Sequence, residues 1–261
     1  MRGMMVIAGK ELRGFLANPT YFLILFLMAA LLSYIYPIQL SMFAELVANQ
    51  QFHRSMMAGE GQQFNIHYGV FLRHLSYLNL ILIFTVPALT MKMLAEEKKL
   101  RTFDLLLTSP VTSLQIVLGK YAAALGAIFG LILAALLYPV TTAFLAPLNW
   151  APLVIATLGV FLLGAVYAAM NLFCSSLTEQ GFIAYIASVI LNVSIWFIGM
   201  GAEVVDSQVA RSIFEHISLN FHLSSLVQGT IRTGSLVFLI SAAGFFIFLA
   251  ERVVESHRWR A

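Results

Sequence analysis

"AEEKKLRTFDLLLTSPVTSLQIVLGK", residues 95–120, holds seven of the chain's charged residues between two long apolar runs. So many charges in one short connection make sense if the flanking runs are places where charge cannot sit. Of the 261 residues 60% are hydrophobic and 10% charged, with a mean hydropathy of +0.88. Apolar residues in uninterrupted runs at that density read as an integral membrane protein. Segment 95–120 is then the largest connection on one side of the bilayer.

Crossing ~30 Å of hydrocarbon takes about 20 helical residues. Six stretches reach or approach that length: 21–40, 75–93, 121–143, 152–177, 182–200 and 235–250. Helices are required because each span must satisfy its own backbone polar groups. Pro37, Pro87 and Pro139 fall near the expected span ends, where a missing N–H is tolerated. With six spans both termini share a side. That side carries eleven Lys and Arg, while the opposite side carries only Arg54, Arg73, Arg211 and Arg232. The bias places both termini in the cytoplasm. The apolar start of the chain is too short for a signal-peptide core, so the first span is expected to stay attached. The predicted fold is an all-α integral membrane protein with six transmembrane helices.

Several function classes fall away. Cys174, the one cysteine, can form neither an intramolecular disulfide nor a multi-cysteine metal site. His53, His67, His74, His216 and His222 match no metal-ligand spacing and read as interfacial polar residues on the outer side. No Asp, Glu, Arg or His lies in the six stretches, and Lys92 sits at the edge of the second. An ion-coupled carrier needs an ionisable group at mid-membrane. Walker A, HExxH and GxSxG patterns are missing, so no catalytic residue is assigned and any uphill work draws energy from another chain. The net charge of +3 gives no ground for a nucleic-acid partner. Asn79, Asn171 and Asn192 read as interhelical hydrogen-bond donors, and Gly126 with Gly130 forms a GxxxG that permits helix packing or a dimer face.

Within the charged connection, Glu97 and Arg101 have helical i,i+4 spacing. Leu100, Phe103 and Leu107 form one apolar stripe, with Leu106 beside it. Ser109 as N-cap and Pro110 at the first helical position predict a restart and a second short helix through Leu114 and Val117. Such a hairpin suits docking into a groove on a soluble partner. The same pattern also reads as a solvated charge run with interfacial anchors.

The motif T-F-D-L-L-L-T-S-P with V-L-G-K after it resembles the cytoplasmic signature of ABC-2-type transporter permeases, and most closely the gliding-motility permease group. The tail "LNFHLSSLVQGTIRTGSLVFLISAAGFFIFLAERVVESHRWR" and the front "KELRGFLANPTYF" are similar to the same group, whereas 39–73 matches nothing in it. The resemblance implies a single transmembrane domain over 1–261. Within it lie an interfacial connecting helix (1–19), cytoplasmic coupling helices (94–119) and extracytoplasmic re-entrant helices (201–233). Glu96, Glu97, Arg101, Thr102, Phe103, Asp104, Leu105, Leu107, Ser109 and Pro110 would couple to a cytoplasmic ABC ATPase. Phe103, Leu105 and Leu107 would supply buried contact, with Glu97, Arg101 and Asp104 setting orientation. Lys10, Leu12, Arg13 and Phe15 would mark the interfacial helix, with Met5, Leu12 and Phe15 toward lipid, Val6 and Leu16 flanking them, and the two cations toward headgroups. ATP and Mg would be bound by the partner, and this chain would carry no cofactor. A second permease chain, in a homodimer or in a heterodimer with a member bearing a large extracytoplasmic domain, would complete the membrane part. The location implied is the bacterial inner membrane. The rivals are a non-transporting scaffold or assembly factor, which would not stimulate an ATPase, and an ion-coupled secondary transporter, which would survive ATP depletion.

The orientation is testable by cysteine labelling in a Cys174-free background. An impermeant thiol reagent added outside is expected to modify cysteines placed at 60 and 208 and to spare those at 99 and 258. Labelling of 99 from outside would reverse the topology.

Overall fold

The computed structural model describes residues 2–56, 65–103, 111–144, 149–205 and 207–258. Among these, the regular structure is helical throughout: α1 (Arg2–Ala17), α2 (Pro19–Met56), a π-helical turn (His67–Phe71) running into α3 (Leu72–Thr90), α4 (Lys92–Lys99), α5 (Ser113–Thr142), α6 (Trp150–Leu177), α7 (Gly181–Val204), α8 (Gln208–Ile217), α9 (Leu219–Val227) and α10 (Thr233–Arg258). Six helical stretches are long and apolar enough to cross a membrane: Pro19–Asn49, His67–Lys99, Ser113–Thr142, Trp150–Leu177, Gly181–Gly199 and Thr233–Arg258.

The centre is α6. Its most apolar stretch is 67% buried, against 17% for α7 and 22% for α10. The reason is in its sequence. Gly159, Gly164, Ala156, Ala165, Ala168 and Ala169 are all buried and small enough for neighbours to approach closely, and fully buried Tyr167 lies among them. Leu226 of α9 lies on Gly159, and Ile128 of α5 lies on Gly164.

Two expected boundaries move. The first span continues past Leu40 to Met56, and Pro37 lies inside it. At 1.5 Å per residue these 38 residues extend about 57 Å, well beyond the hydrocarbon. The extension persists because Tyr36, Leu40 and Phe43 find partners in Ile66, Val70 and Phe71 of the π-helical turn. The third span is already helical from Ser113, eight residues before the expected start. Thr112 caps it: its hydroxyl accepts the Gln115 N–H (3.2 Å), and the Gln115 side chain takes the Thr112 N–H (3.3 Å). This capping box fixes the start of the helix at Ser113. Ser109 and Pro110 lie outside the described residues.

Helices α2 and α5 run side by side in the same direction, as the first and third spans of one chain must. Tyr21 donates to the Ala127 carbonyl (3.1 Å) and Tyr138 to the Ala29 carbonyl (2.7 Å), and Tyr36 bonds Thr142. Helix α1 follows α5 too. Gly3 lies at Val111 and Gln115, Ile7 at Gly119, Leu12 at Gly126 and the Tyr21 hydroxyl at Gly130. The GxxxG pair is thus packed against Leu12 and Tyr21 of the same chain. Leu12 and Phe15 accordingly pack on the core, not outward to lipid, while Met5 (66% exposed) and Val6 (70%) form the outer apolar face.

The polar residues inside the bundle staple helices together. Tyr167 donates to Asn79 (3.2 Å), Asn79 to Asn220 (3.3 Å) and Asn192 to the Ile83 carbonyl (3.2 Å). Asn171, fully buried, makes no such bond among the described residues. The histidines are also more deeply placed than expected. His67 bonds the Val227 carbonyl (2.9 Å), His74 the Ala135 carbonyl (3.0 Å) and His222 the His216 carbonyl (3.0 Å). Carbonyls can only accept, so each ring donates from Nε2. His222 also bonds Ser235 through Nδ1 (3.2 Å), and its burial pushes its pKa down.

A Cβ on Gly119 would lie 2.9 Å from Ile7 Cβ and 3.0 Å from the Met4 carbonyl oxygen, neither of which can swing aside. Gly119→Ala is expected to destabilise the purified protein by about 1–3 kcal/mol, the usual cost of overpacking. Gly14 has nothing within 4 Å. There alanine should be neutral or raise the melting temperature. Equal melting of the two variants would show that α1 does not seat on α5.

Candidate functional site

The end of the bundle that gathers both termini and the 95–120 connection holds its densest charge chemistry. Lys120 is only 1% exposed. Its ammonium bonds Glu97 of α4 at 2.8 Å and Glu11 of α1 at 2.9 Å. A lysine so far out of water needs such partners to remain charged. One side chain of α5 therefore ties down two helices that are remote in sequence. Sequence reasoning counted Lys120 only in the charge bias and passed over Glu11. A lysine following a glycine at the entrance to an apolar span, with Glu11 the one acid in α1, was the available signal.

Helix α4 is fastened from behind as well. Ser175 of α6 accepts from the Leu94 (3.2 Å) and Ala95 (3.1 Å) N–H groups and donates to the Met91 carbonyl (2.9 Å). Unbonded N–H groups at the start of α4 are thus capped by another helix. Lys98 bonds the Ser176 carbonyl and His257 Nε2 (2.9 Å), and its ammonium stands 5.5 Å over the Phe103 ring. Ser113, at the start of α5, donates to Glu255 of α10. The connection is therefore clamped between the ends of α6 and α10.

Leu100 and Phe103, the described members of the expected stripe, do not share a face. Helix α4 ends at Lys99, and Arg101 takes a left-handed φ of 55° that stops propagation. Leu100 is 64% exposed and Phe103 3%. Glu97 has turned to Lys120, so the Glu97–Arg101 pair is not made. Thr102 closes the turn by donating to the Glu97 carbonyl (3.3 Å). Of the residues singled out in the sequence, Glu96, Arg101 and Thr102 are exposed, whereas Phe103 faces inward against His257. On α1, Lys10 and Arg13 are exposed. Asp104, Leu105 and Leu107 lie outside the described residues.

A sequence model of the family described as "ABC-2 family transporter protein" matches residues 5–250. The chain belongs to the ABC-2 transporter family. It is a multi-pass membrane protein and a transmembrane permease component of an ABC transporter, and in that family ATP hydrolysis falls to another subunit. No curated protein matches the sequence. A cavity of ≈ 620 Å³ opens at the far end between Arg73, Asn79, Trp196 and Asn220. Among the described residues no group of His, Cys, Asp and Glu could hold a metal.

Lys120→Met would leave Glu11 and Glu97 facing each other without their cation. Breaking a buried pair this way costs about 3–5 kcal/mol. The variant should melt well below the parent, and adding Glu11→Gln and Glu97→Gln should recover much of the loss. An unchanged melting temperature in Lys120→Met would mean the pair contributes nothing.

Proposed function

We propose that this permease couples ATP hydrolysis on a separate cytoplasmic ABC ATPase to movement of its membrane helices, and that α4 with the turn at 100–103 is the surface the ATPase grips. The observation that carries the reading is the clamp behind α4. A surface that transmits force must be fastened to the helices it moves, and α4 is fastened to α5 through Lys120, to α6 through Ser175 and to α10 through His257. Its outer side presents Glu96, Lys99, Leu100, Arg101 and Thr102. Asp104, Leu105, Leu107, Ser109 and Pro110 belong to the same surface by resemblance. Phe103 supports it from beneath.

In this reading both termini are cytoplasmic in a bacterial inner membrane, as the Lys and Arg bias indicates. Residues 1–19 form the interfacial helix and 201–233 the re-entrant segment, within one domain. Helix α8 suits that role: Val209, Ile213 and Ile217 are exposed on one face, with Arg211 and Glu215 paired at 3.3 Å. ATP and Mg bind the ATPase, a second permease chain completes the membrane part, and the gliding-motility group is the subgroup the chain resembles. Closure of the ATPase dimer shifts α4, and the helices joined to it switch between two packings.

Co-purification and ATP turnover with the ATPase in nanodiscs test this. Leu100→Ala with Arg101→Ala should weaken ATPase binding about thirtyfold, the size of an interface anchor worth about 2 kcal/mol. The permease's own melting temperature should not change. Phe103→Ala should lower that melting temperature instead. Undiminished binding and turnover in the double variant would reduce the surface to a solvated charge run.

A further inference from the structure

A cavity of ≈ 330 Å³ opens beside Lys120, between α1, the start of α2, the end of α3 and α4; Phe15, Tyr21 and Leu89 line it, with Lys92 and Glu96 at its polar side. The cavity is amphipathic. Lys92 and Glu96 lie one turn apart on α4, both exposed, yet neither makes an ion pair with the other or elsewhere among the described residues. Glu11, Glu97 and Lys120 stand behind them. The cavity thus offers an unpaired cation and an unpaired anion on a slightly acidic background, with an apolar wall.

We propose that this cavity binds an ammonium–phosphate zwitterion, the headgroup of an aminophospholipid of the inner leaflet. The ammonium sits on the Glu96 and Glu11 carboxylates, the phosphate on Lys92, and the first acyl segment along Phe15 and Leu89. Its volume is at the low end of the roughly 300–1,000 Å³ of small-molecule sites. That admits a headgroup and leaves the acyl chains outside. A single-sign anion would meet Glu11, Glu96 and Glu97; a simple cation would leave Lys92 unmatched. The bound lipid bridges α1 and α4 and so braces the joint that Lys120 makes. The proposal rests on the cytoplasmic placing of this end, which cysteine labelling at 99 tests by itself, so failure of one is separable from failure of the other.

The test is native mass spectrometry of the full chain released from nanodiscs containing equal phosphatidylethanolamine and phosphatidylglycerol. One phosphatidylethanolamine per chain should be retained over phosphatidylglycerol by about tenfold, the ratio for one charge-assisted hydrogen bond. Lys92→Ala and Glu96→Gln should each cut that retention by a similar factor. Ala88→Trp, on the cavity wall, should abolish it by filling the space. Lys92 and Glu96 are exposed, so those two variants keep the test valid if Ala88→Trp misfolds. Equal retention of the two lipids, or retention unchanged in Lys92→Ala and Glu96→Gln, would overturn the site. Soluble glycerophosphoethanolamine binding as tightly as the lipid would overturn the lipid assignment.

Discussion

Inside a bilayer the hydrophobic effect does not distinguish a helix neighbour from a lipid chain, so helices stay together only where their backbones can approach closely or share a polar bond. The fold depends on that constraint. It explains why the most buried helix, α6, is rich in Gly and Ala, and why larger Leu and Ile side chains seat on its glycines. It also explains α5, whose Gly119, Ala123, Gly126 and Gly130 form one stripe at helical spacing. Ile7, Leu12 and Tyr21 fill the three glycine sites. Two successive helices, α1 and α2, are laid along one partner by that stripe.

Polar bonds then fix what packing leaves loose. A tyrosine hydroxyl reaching a backbone carbonyl, as Tyr21 and Tyr138 do, forbids sliding along the helix axis because the acceptor is a single atom. At the far end His67, His74 and His222 do the same. At the loop end the bonds carry charge. Lys120 serves two carboxylates from different helices, where a neutral donor would give weaker contacts. The gradient from hydroxyl bonds within the bundle to ion pairs at its edge follows the cost of burying charge.

Apolar runs made the six spans legible, since nothing but a membrane explains runs of that length at that composition. Their ends were less so. The extension of α2 to Met56 depends on Phe43 meeting a turn 25 residues downstream, a contact no local pattern encodes. The stop at Lys99 was hidden because the Leu100–Phe103–Leu107 spacing is helical on paper, while Glu97 gains more from Lys120 than from Arg101. Thr112 and Gln115 formed a readable capping box, but Ser109–Pro110 offered a competing one three residues earlier. The loop was singled out as the candidate site through its motif. Its internal clamp was not, because Ser175, Glu255 and His257 come from helices far along the chain.

The clamp also constrains how a force applied at α4 would travel on the proposed reading. Helix α4 is eight residues long, about 12 Å, and short helices do not bend appreciably. Its start is held by Ser175 and its end by Lys98, both at the terminus of α6. Pushing α4 therefore moves the end of α6, the helix around which the others pack. The link to α5 is different in kind. It is a pair of ion contacts at a lysine whose three N–H donors can swap partners as it moves, so α5 and α1 can lag behind without losing the charge's compensation. A stiff joint to the central helix beside a compliant one to the periphery lets the core shift first and the outer helices follow.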